Sequence, residues 1–179
     1  MDLKEYVIPV AGFSLGRHSI EFSVDWVFFQ QFENSPVEQG RFDITIDLDK
    51  QHDHWYVQFD VNGVMDTECD RCTAPISLPV EGAYDVIVRY QDDQTEEVVN
   101  DSEVIYVPRE IHRWPIAQLI YEFVLLSIPA KKVFDCESEE PRPCDMEALK
   151  LLEEQESGEE QSSDENPFKE AFKNIELKN

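Results

Sequence analysis

The four cysteines are the residues whose type and spacing point most clearly to chemistry. Cys69 and Cys72 are separated by two residues, which lets two thiolates converge on one tetrahedral zinc ion. A closed zinc site needs two further ligands, and Cys136 and Cys144 are the remaining cysteines. One hypothesis is therefore a zinc cofactor held by all four, although the seven residues between the second pair exceed the usual knuckle spacing.

Other interpretations of the first cysteine pair remain open. The histidines could complete a metal site instead of the second pair: His52, His54 and His112. The pair could also be a turn with reduced thiols. A redox role would require a strand followed by a helix, whereas this pair lies between two predicted strands. Its acidic neighbours Glu68 and Asp70 are expected to raise the thiol pKa.

The charge of the chain limits its partners. Its 15 Lys and Arg residues face 39 Asp and Glu residues, which gives a net charge of −24. Affinity for nucleic acid comes largely from basic side chains that neutralise phosphates, so unaided RNA binding is not expected. A basic protein partner, attracted by opposite charge, fits better. The alternative is that the charge only keeps the protein soluble.

A few basic residues could still contact RNA or a partner. Arg71 lies between the first two cysteines, and four more bracket a predicted helix: Arg109, Arg113, Lys131 and Lys132. If these five side chains lie close together in the fold, they form one basic patch on an otherwise acidic domain. Otherwise they are scattered surface charges.

Alternating side chains predict the strands that must position these residues. Phe42, Ile44, Ile46 and Leu48 alternate with polar residues, mostly aspartates, so this strand has one buried and one acidic face. A second alternating run begins at Trp55 and completes a hairpin. Asn62-Gly63 is either a turn or a bulge in a strand that reaches Cys69. Residues 76–90 form another long strand, which gives an antiparallel meander.

An apolar segment supplies the predicted covering helix. It runs from Pro115, at the first helical position, to Ser127, and Pro129 ends it. Five apolar residues recur at helical spacing and form one stripe: Ile116, Leu119, Ile120, Phe123 and Val124. Leu125, Leu126 and Ile128 widen this stripe. The fold class is therefore α+β, mainly an antiparallel β-sheet meander with one long helix packed on it.

The composition of the remaining chain predicts an acidic disordered C-terminal tail. The composition of residues 136–166 indicates an acidic low-complexity linker. Within it we expect a short helix at 146–152 and disorder from Glu153 to Glu165. Residues 167–179 predict a short amphipathic helix whose apolar face carries Phe168, Phe172 and Ile175. The α+β domain would occupy residues 1–135.

Several classes are disfavoured by what the sequence lacks. The start of the chain has no signal-peptide features, and no apolar run approaches the roughly 18 residues of a membrane span. We therefore expect a cytoplasmic protein without a membrane partner. No nucleophile motif or glycine-rich phosphate loop is present, so no enzyme is predicted. A Mg²⁺-dependent hydrolase or nuclease would need a carboxylate cluster, and no spacing singles one out.

Taken in order, these segments resemble the YceD-like family, the large ribosomal RNA subunit accumulation proteins. Four segments carry the resemblance: residues 68–75 (ECDRCTAP), residues 125–129 (LLSIP), Cys136 and residues 166–168 (NPF). Two features depart from the family pattern. Arg113-Trp114-Pro115 precedes the helix where many relatives have an acidic cap, and a second close cysteine pair is missing.

The resemblance implies a non-enzymatic ribosome-biogenesis factor that supports accumulation or processing of large-subunit ribosomal RNA. The acidity adds the hypothesis of an adaptor that holds a basic ribosomal or rRNA-processing protein near the precursor of large-subunit rRNA. The alternative is a zinc-stabilised nucleic-acid-binding module, since the family has been described as metal- and nucleic-acid-binding.

Overall fold

Five strands form the main sheet of this computed structural model, which describes residues 3–91, 104–134 and 144–159. In chain order the strands and helices are β1 (Val7–Ile8), β2 (Gly16–Asp25), α1 (Trp26–Phe29), β3 (Gln39–Lys50), β4 (His54–Glu68), β5 (Pro75–Gln91), β6 (Val104–Pro108), β7 (Trp114–Pro115), α2 (Ala117–Ser127) and α3 (Met146–Glu159). Short 3₁₀ turns at Leu3–Glu5 and Val10–Gly12 flank β1.

The chain divides into two compact units. The first runs through Glu68 and from Pro75 to Lys132, and therefore contains the whole sheet and α2. The second contains Cys69–Ala74 and the chain from Val133 onward, including α3. No helix in the described ranges is long and apolar enough to cross a membrane.

The order of the main sheet is β2-β3-β4-β5-β6. Strands β2 to β5 pair antiparallel with continuous registers, so the predicted meander is confirmed for these four strands. The last strand, β6, pairs parallel with β5, so the sheet is mainly antiparallel, as predicted, with one parallel pair. Parallel neighbours need a crossover connection rather than a tight turn, and no turn signal in the sequence distinguishes the two cases.

One face of the sheet is the core. The inward apolar side chains of β3 are all buried: Phe42, Ile44, Ile46 and Leu48. Helix α2 packs on β4 and β5, where Phe123 stacks on Tyr84 with ring centroids 4.7 Å apart. Full burial of one such apolar side chain contributes about 1.5–3 kcal/mol before entropy, so this face supplies much of the folding free energy.

The short helix α1 closes one end of the core. The Asp25 carboxylate accepts a hydrogen bond from the backbone N–H of Val27 at 3.0 Å and caps the helix. Phe28 and Phe29 are fully buried, with ring centroids 5.1 Å apart in an edge-to-face arrangement. The aromatic-rich segment Trp26–Phe29 is therefore helical.

The predicted helix is present but shorter than expected. Pro115 does not open it, because Pro115 pairs with Val7 in the small β1–β7 sheet and the helix begins at Ala117. The helix has 11 residues, about three turns, so one long helix is not confirmed. Leu126 was expected on the apolar stripe but is 67% exposed.

The acidic region contains more helix than expected. Helix α3 extends to Glu159, so the prediction of disorder from Glu153 was wrong as far as that residue. The Asp145 carboxylate accepts hydrogen bonds from the backbone N–H groups of Glu147 and Ala148, at 2.9 and 3.2 Å. This cap stabilises the start of the helix, and the Glu and Gln residues that follow Leu152 in the sequence favour its continuation. The predicted helix at 167–179 lies outside the described residues.

Gly63 lies neither in a turn nor in a bulge. It pairs with Phe42 in an unbroken β3–β4 register. A Cβ built on Gly63 would overlap the carbonyl oxygen of Arg41 and lie 2.6 Å from Cδ1 of Phe42. The glycine therefore allows the Phe42 ring to lie against the neighbouring strand.

We expect Gly63→Ala to lower the free energy of unfolding by about 1–3 kcal/mol, because the added methyl overpacks this contact. Urea denaturation measures the change. Gly12→Ala is the control, since a Cβ there meets nothing within 4 Å. Equal effects of the two substitutions would contradict the proposed close approach.

Candidate functional site

The face of the main sheet opposite the core is strongly acidic. Because side chains alternate along each strand, nine carboxylates share this face in addition to Asp25, which caps α1: Glu21, Asp43, Asp47, Asp49, Asp60, Asp66, Glu68, Glu81 and Asp85. They are exposed or half-buried. The basic residues at outward strand positions are Arg17, Arg41 and Arg89. We call this surface the acidic face.

The strand register separates the carboxylates of the acidic face from one another. Asp43, for example, lies between Ser23 on β2 and Asn62 on β4, and it accepts a hydrogen bond from the Ser23 hydroxyl. Asp66 accepts a hydrogen bond from Ser77 on β5 at 2.7 Å. In the described pairs no carboxylate is directly opposite another. This arrangement avoids the repulsion of like charges at opposite positions.

The same spacing indicates what the acidic face can bind. Diagonal neighbours on a sheet lie about 7–8 Å apart, too far for several carboxylates to share one cation. Consistently, among residues 3–91, 104–134 and 144–159 no group of three or more His, Cys, Asp or Glu could hold a metal ion. The face is suited to a ligand with many spaced positive charges.

The first cysteine pair lies in a tight turn between β4 and β5. The backbone N–H of Cys69 donates to the carbonyl of Ala74 at 2.9 Å, and that of Thr73 donates to the carbonyl of Cys69 at 2.8 Å. Thr73 has φ of 57°, a left-handed conformation that a β-branched residue rarely adopts. Both thiols are free and only 1% exposed. We call this segment, Cys69–Ala74, the cysteine turn.

Backbone donors surround the sulfur of Cys69. Burial alone raises the pKa of this thiol, but hydrogen bonds from the backbone of Phe134, Arg71 and Cys72, with a contribution from the Cys72 side chain, bring the pKa below its ordinary value of 9.0. The expectation that acidic neighbours would raise the thiol pKa is therefore wrong for Cys69. At this sulfur the hydrogen bonds, which favour the thiolate, outweigh the effect of burial.

The structure does not show Cys136 and Cys144, the other two predicted zinc ligands, as free thiols. Cys144 is disulfide-bonded, so a site with four thiolates would require that bond to be reduced first. Cys136 lies outside the described residues. Among the alternative ligands, His54 bonds to the Asp53 carboxylate at 2.7 Å, and His52 is exposed on the β3–β4 turn. The set of four cysteines stays a prediction.

The five predicted RNA or partner contacts occupy different places. The guanidinium of Arg109 lies 5.6 Å from the ring centroid of Tyr90. Arg113 precedes α2 and Lys131 follows it, and a helix of this length separates its ends by about 16 Å. Their convergence on one basic surface stays a prediction.

Arg71 and Lys132 complete this set. Arg71 is exposed at the middle of the cysteine turn. Lys132 lines a cavity of about 630 Å³ together with Glu38, Asp66 and Glu68. Because carboxylates surround Lys132 there, its charge is partly offset before any phosphate approaches. Direct RNA contact by the five residues stays a prediction.

Sequence reasoning found only part of the acidic face. It assigned an acidic face to β3, because aspartates alternate with apolar residues there. β2 and β5 carry fewer of these carboxylates than β3, those of β4 are spread along a longer strand, and Ser, Gln, Asn or Tyr residues lie between them. Their signal appears only when the four strands are placed in register.

We expect Cys69 to titrate below 9.0 in protein with a reduced cysteine turn, and Cys72→Ala to raise its pKa because the contribution of the Cys72 thiol is lost. Thiolate absorbance in the ultraviolet, measured against pH, checks both values. Since the pKa is lower in the folded than in the unfolded state, the stability gained is fully present above about pH 9 and is lost as pH falls through the folded-state pKa. A Cys69 pKa at or above 9.0 would contradict this assignment.

Comparison with known proteins gives one match. The family model described as large ribosomal RNA subunit accumulation protein YceD matches residues 57–175. The match covers most of β4, all of β5, the cysteine turn and α2. No curated protein and no solved structure matches the chain.

Proposed function

Because the chain belongs to the YceD family of large ribosomal RNA subunit accumulation proteins, we propose that it is a non-enzymatic ribosome-biogenesis factor that acts through its acidic face. In this proposal the face binds a basic ribosomal or rRNA-processing protein and supports accumulation or processing of large-subunit ribosomal RNA. The family name supplies the process, and the acidic face suggests the kind of partner.

The acidic face is the observation that carries this proposal. Nine carboxylates against three arginines create a negative field over one side of the sheet. Such a field repels RNA phosphates and speeds the approach of a basic protein. The separated carboxylates can each meet a Lys or Arg of the partner, as phosphates do along a nucleic acid.

This arrangement suggests how an adaptor would act on ribosomal RNA indirectly. A basic protein that is free in solution binds RNA non-specifically, because its Lys and Arg residues release counterions from any phosphate backbone. The acidic face would occupy those residues until a specific RNA site with more favourable contacts displaces it. The partner is thereby delivered or restrained, and the adaptor itself needs no RNA contact.

The test compares two triple variants that change the net charge equally. Asp47→Asn/Asp60→Asn/Asp85→Asn neutralises the acidic face, whereas Glu5→Gln/Glu33→Gln/Glu110→Gln neutralises exposed carboxylates elsewhere. We expect the first variant to weaken binding of identified basic ribosomal proteins about tenfold at moderate salt, since three ion pairs of about 0.5 kcal/mol are lost. Quantitative pull-down with mass spectrometry measures this, and large-subunit rRNA is measured in the same cells.

The control variant separates a site from bulk charge. If both triple variants weaken binding equally, the net charge and not the acidic face is responsible, and the proposed site is wrong. If neither weakens binding and crosslinking recovers rRNA precursor directly on the protein, the adaptor role is wrong.

A zinc-stabilised nucleic-acid-binding module is a second candidate, and the cysteine turn favours it. The backbone donors around the Cys69 sulfur favour the thiolate form that zinc requires. Cys69 and Cys72 would hold the ion, with Cys136 and Cys144 as further ligands once Cys144 is reduced. When bound, zinc would supply folding energy rather than catalysis.

Metal analysis distinguishes this second candidate. It requires about one zinc per reduced chain, lost in Cys69→Ser/Cys72→Ser, and direct RNA crosslinks at one or more of Arg71, Arg109, Arg113, Lys131 and Lys132. Reduced protein without stoichiometric zinc would exclude the candidate. Zinc without RNA crosslinks would leave a structural metal and the adaptor proposal intact.

A further inference from the structure

A trough crosses part of the acidic face. The cavity to which it belongs has a volume of about 1140 Å³, is open to solvent along β2 to β5, and is also lined by core-face residues, among them Tyr84 and Phe123. Its outward lining combines charged and polar side chains with one aromatic ring: Arg17, Asp47, Asp49, Tyr56, Gln58 and Asp85. This outward lining contains three carboxylates and one guanidinium group.

Tyr56 is the aromatic residue at an outward strand position in this lining, and half of its surface is exposed. It lies on β4 between Asp49 of β3 and Ile87 of β5 in the strand register. The ring of His54 contacts it edge to face with centroids 4.7 Å apart. Within the described residues the Tyr56 hydroxyl makes no hydrogen bond, and no Lys or Arg lies over the ring.

The carboxylates near Tyr56 are also available. Asp49 is directly across from Tyr56, and Asp47 and Asp85 are its diagonal neighbours on the adjacent strands. None of the three forms an ion pair with a described residue. Arg17 is opposite Asp49 in register but makes no ion pair with it. Arg89 and His54 lie beyond the trough lining.

We propose that this trough holds an arginine side chain of the basic partner, with its guanidinium stacked on the Tyr56 ring and hydrogen-bonded to Asp49, Asp47 or Asp85. This inference rests on the proposed function, and it specifies which residue of the basic partner binds to the acidic face. A guanidinium fits because it is planar, stacks on aromatic rings and bonds to carboxylates through two parallel donors.

The same molecule shows this chemistry elsewhere, where Arg109 lies over Tyr90 at 5.6 Å. A lysine ammonium would gain the charge attraction but not the planar stacking, so it should bind the trough less well. Phosphate or a nucleic acid would be repelled by the three carboxylates. The expected ligand is therefore an arginine-containing segment of a basic protein.

The test uses two peptides that differ only in the cation. One contains four arginines separated by glycines, and the other has lysine at the same positions. Fluorescence anisotropy gives their affinities for the wild type, Tyr56→Ala and Tyr56→Phe. Val64→Ala is the matched control, because Val64 is 45% exposed on the same face but outside the trough. Circular dichroism confirms that each variant is folded.

We expect the wild type to bind the arginine peptide about three- to fivefold more tightly than the lysine peptide, as for an exposed cation–π contact. Tyr56→Ala should remove this preference, with less than about a twofold change for the lysine peptide, because lysine makes such contacts less often than arginine. Tyr56→Phe should keep it, and Val64→Ala should have no effect. In the wild type, the arginine peptide should shift the Tyr56 ring resonances measured by NMR.

Equal affinities for the two peptides, or a Tyr56→Ala variant that keeps the preference, would overturn the inference. The proposed function would then stand or fall on the separate comparison of the two triple variants. If the acidic-face variant still loses basic ribosomal proteins while Tyr56→Ala does not, only the arginine site is wrong. Binding of neither peptide to the wild type would also overturn the arginine site.

Discussion

The strict alternation of side chains along three long, continuously paired strands is the constraint on which the rest of the structure depends. Strands β3, β4 and β5 pair without interruption, and Gly63 maintains that register beneath Phe42. A slip of one residue would move every apolar side chain of a strand from the core to solvent. Burial of the apolar face therefore also fixes which carboxylates lie on the opposite face.

The acidic face is a consequence of this register. Once the apolar side chains are buried, the alternate positions of four strands must share one surface, and their carboxylates come together there. Interleaved Ser, Asn, Gln and Tyr residues keep these charges from facing one another directly. The result is a surface with high charge density and little direct repulsion, which suits an extended basic partner better than a single metal ion.

The cysteine turn has a different physical basis. Its shape comes from backbone hydrogen bonds over six residues and from a left-handed threonine. Its thiol chemistry depends on donors near the sulfur, one of which, Phe134, is distant in sequence. The acidity of the chain therefore indicates the character of the sheet surface but gives the wrong direction for the pKa of Cys69. Local hydrogen bonds outweigh the average charge at that position.

The sequence by itself determined the family resemblance, the apolar strand faces, the β3–β4 hairpin and the existence of the covering helix, because alternation and helical spacing are local properties. It did not determine the parallel pairing of β6, the start of α2 after Pro115 or the extent of α3. Only the tertiary structure placed carboxylates from four strands on one face, with Tyr56 among Asp47, Asp49 and Asp85. Alternation fixes which face of the sheet each side chain takes, but which residues of neighbouring strands lie side by side depends on pairing between distant parts of the chain.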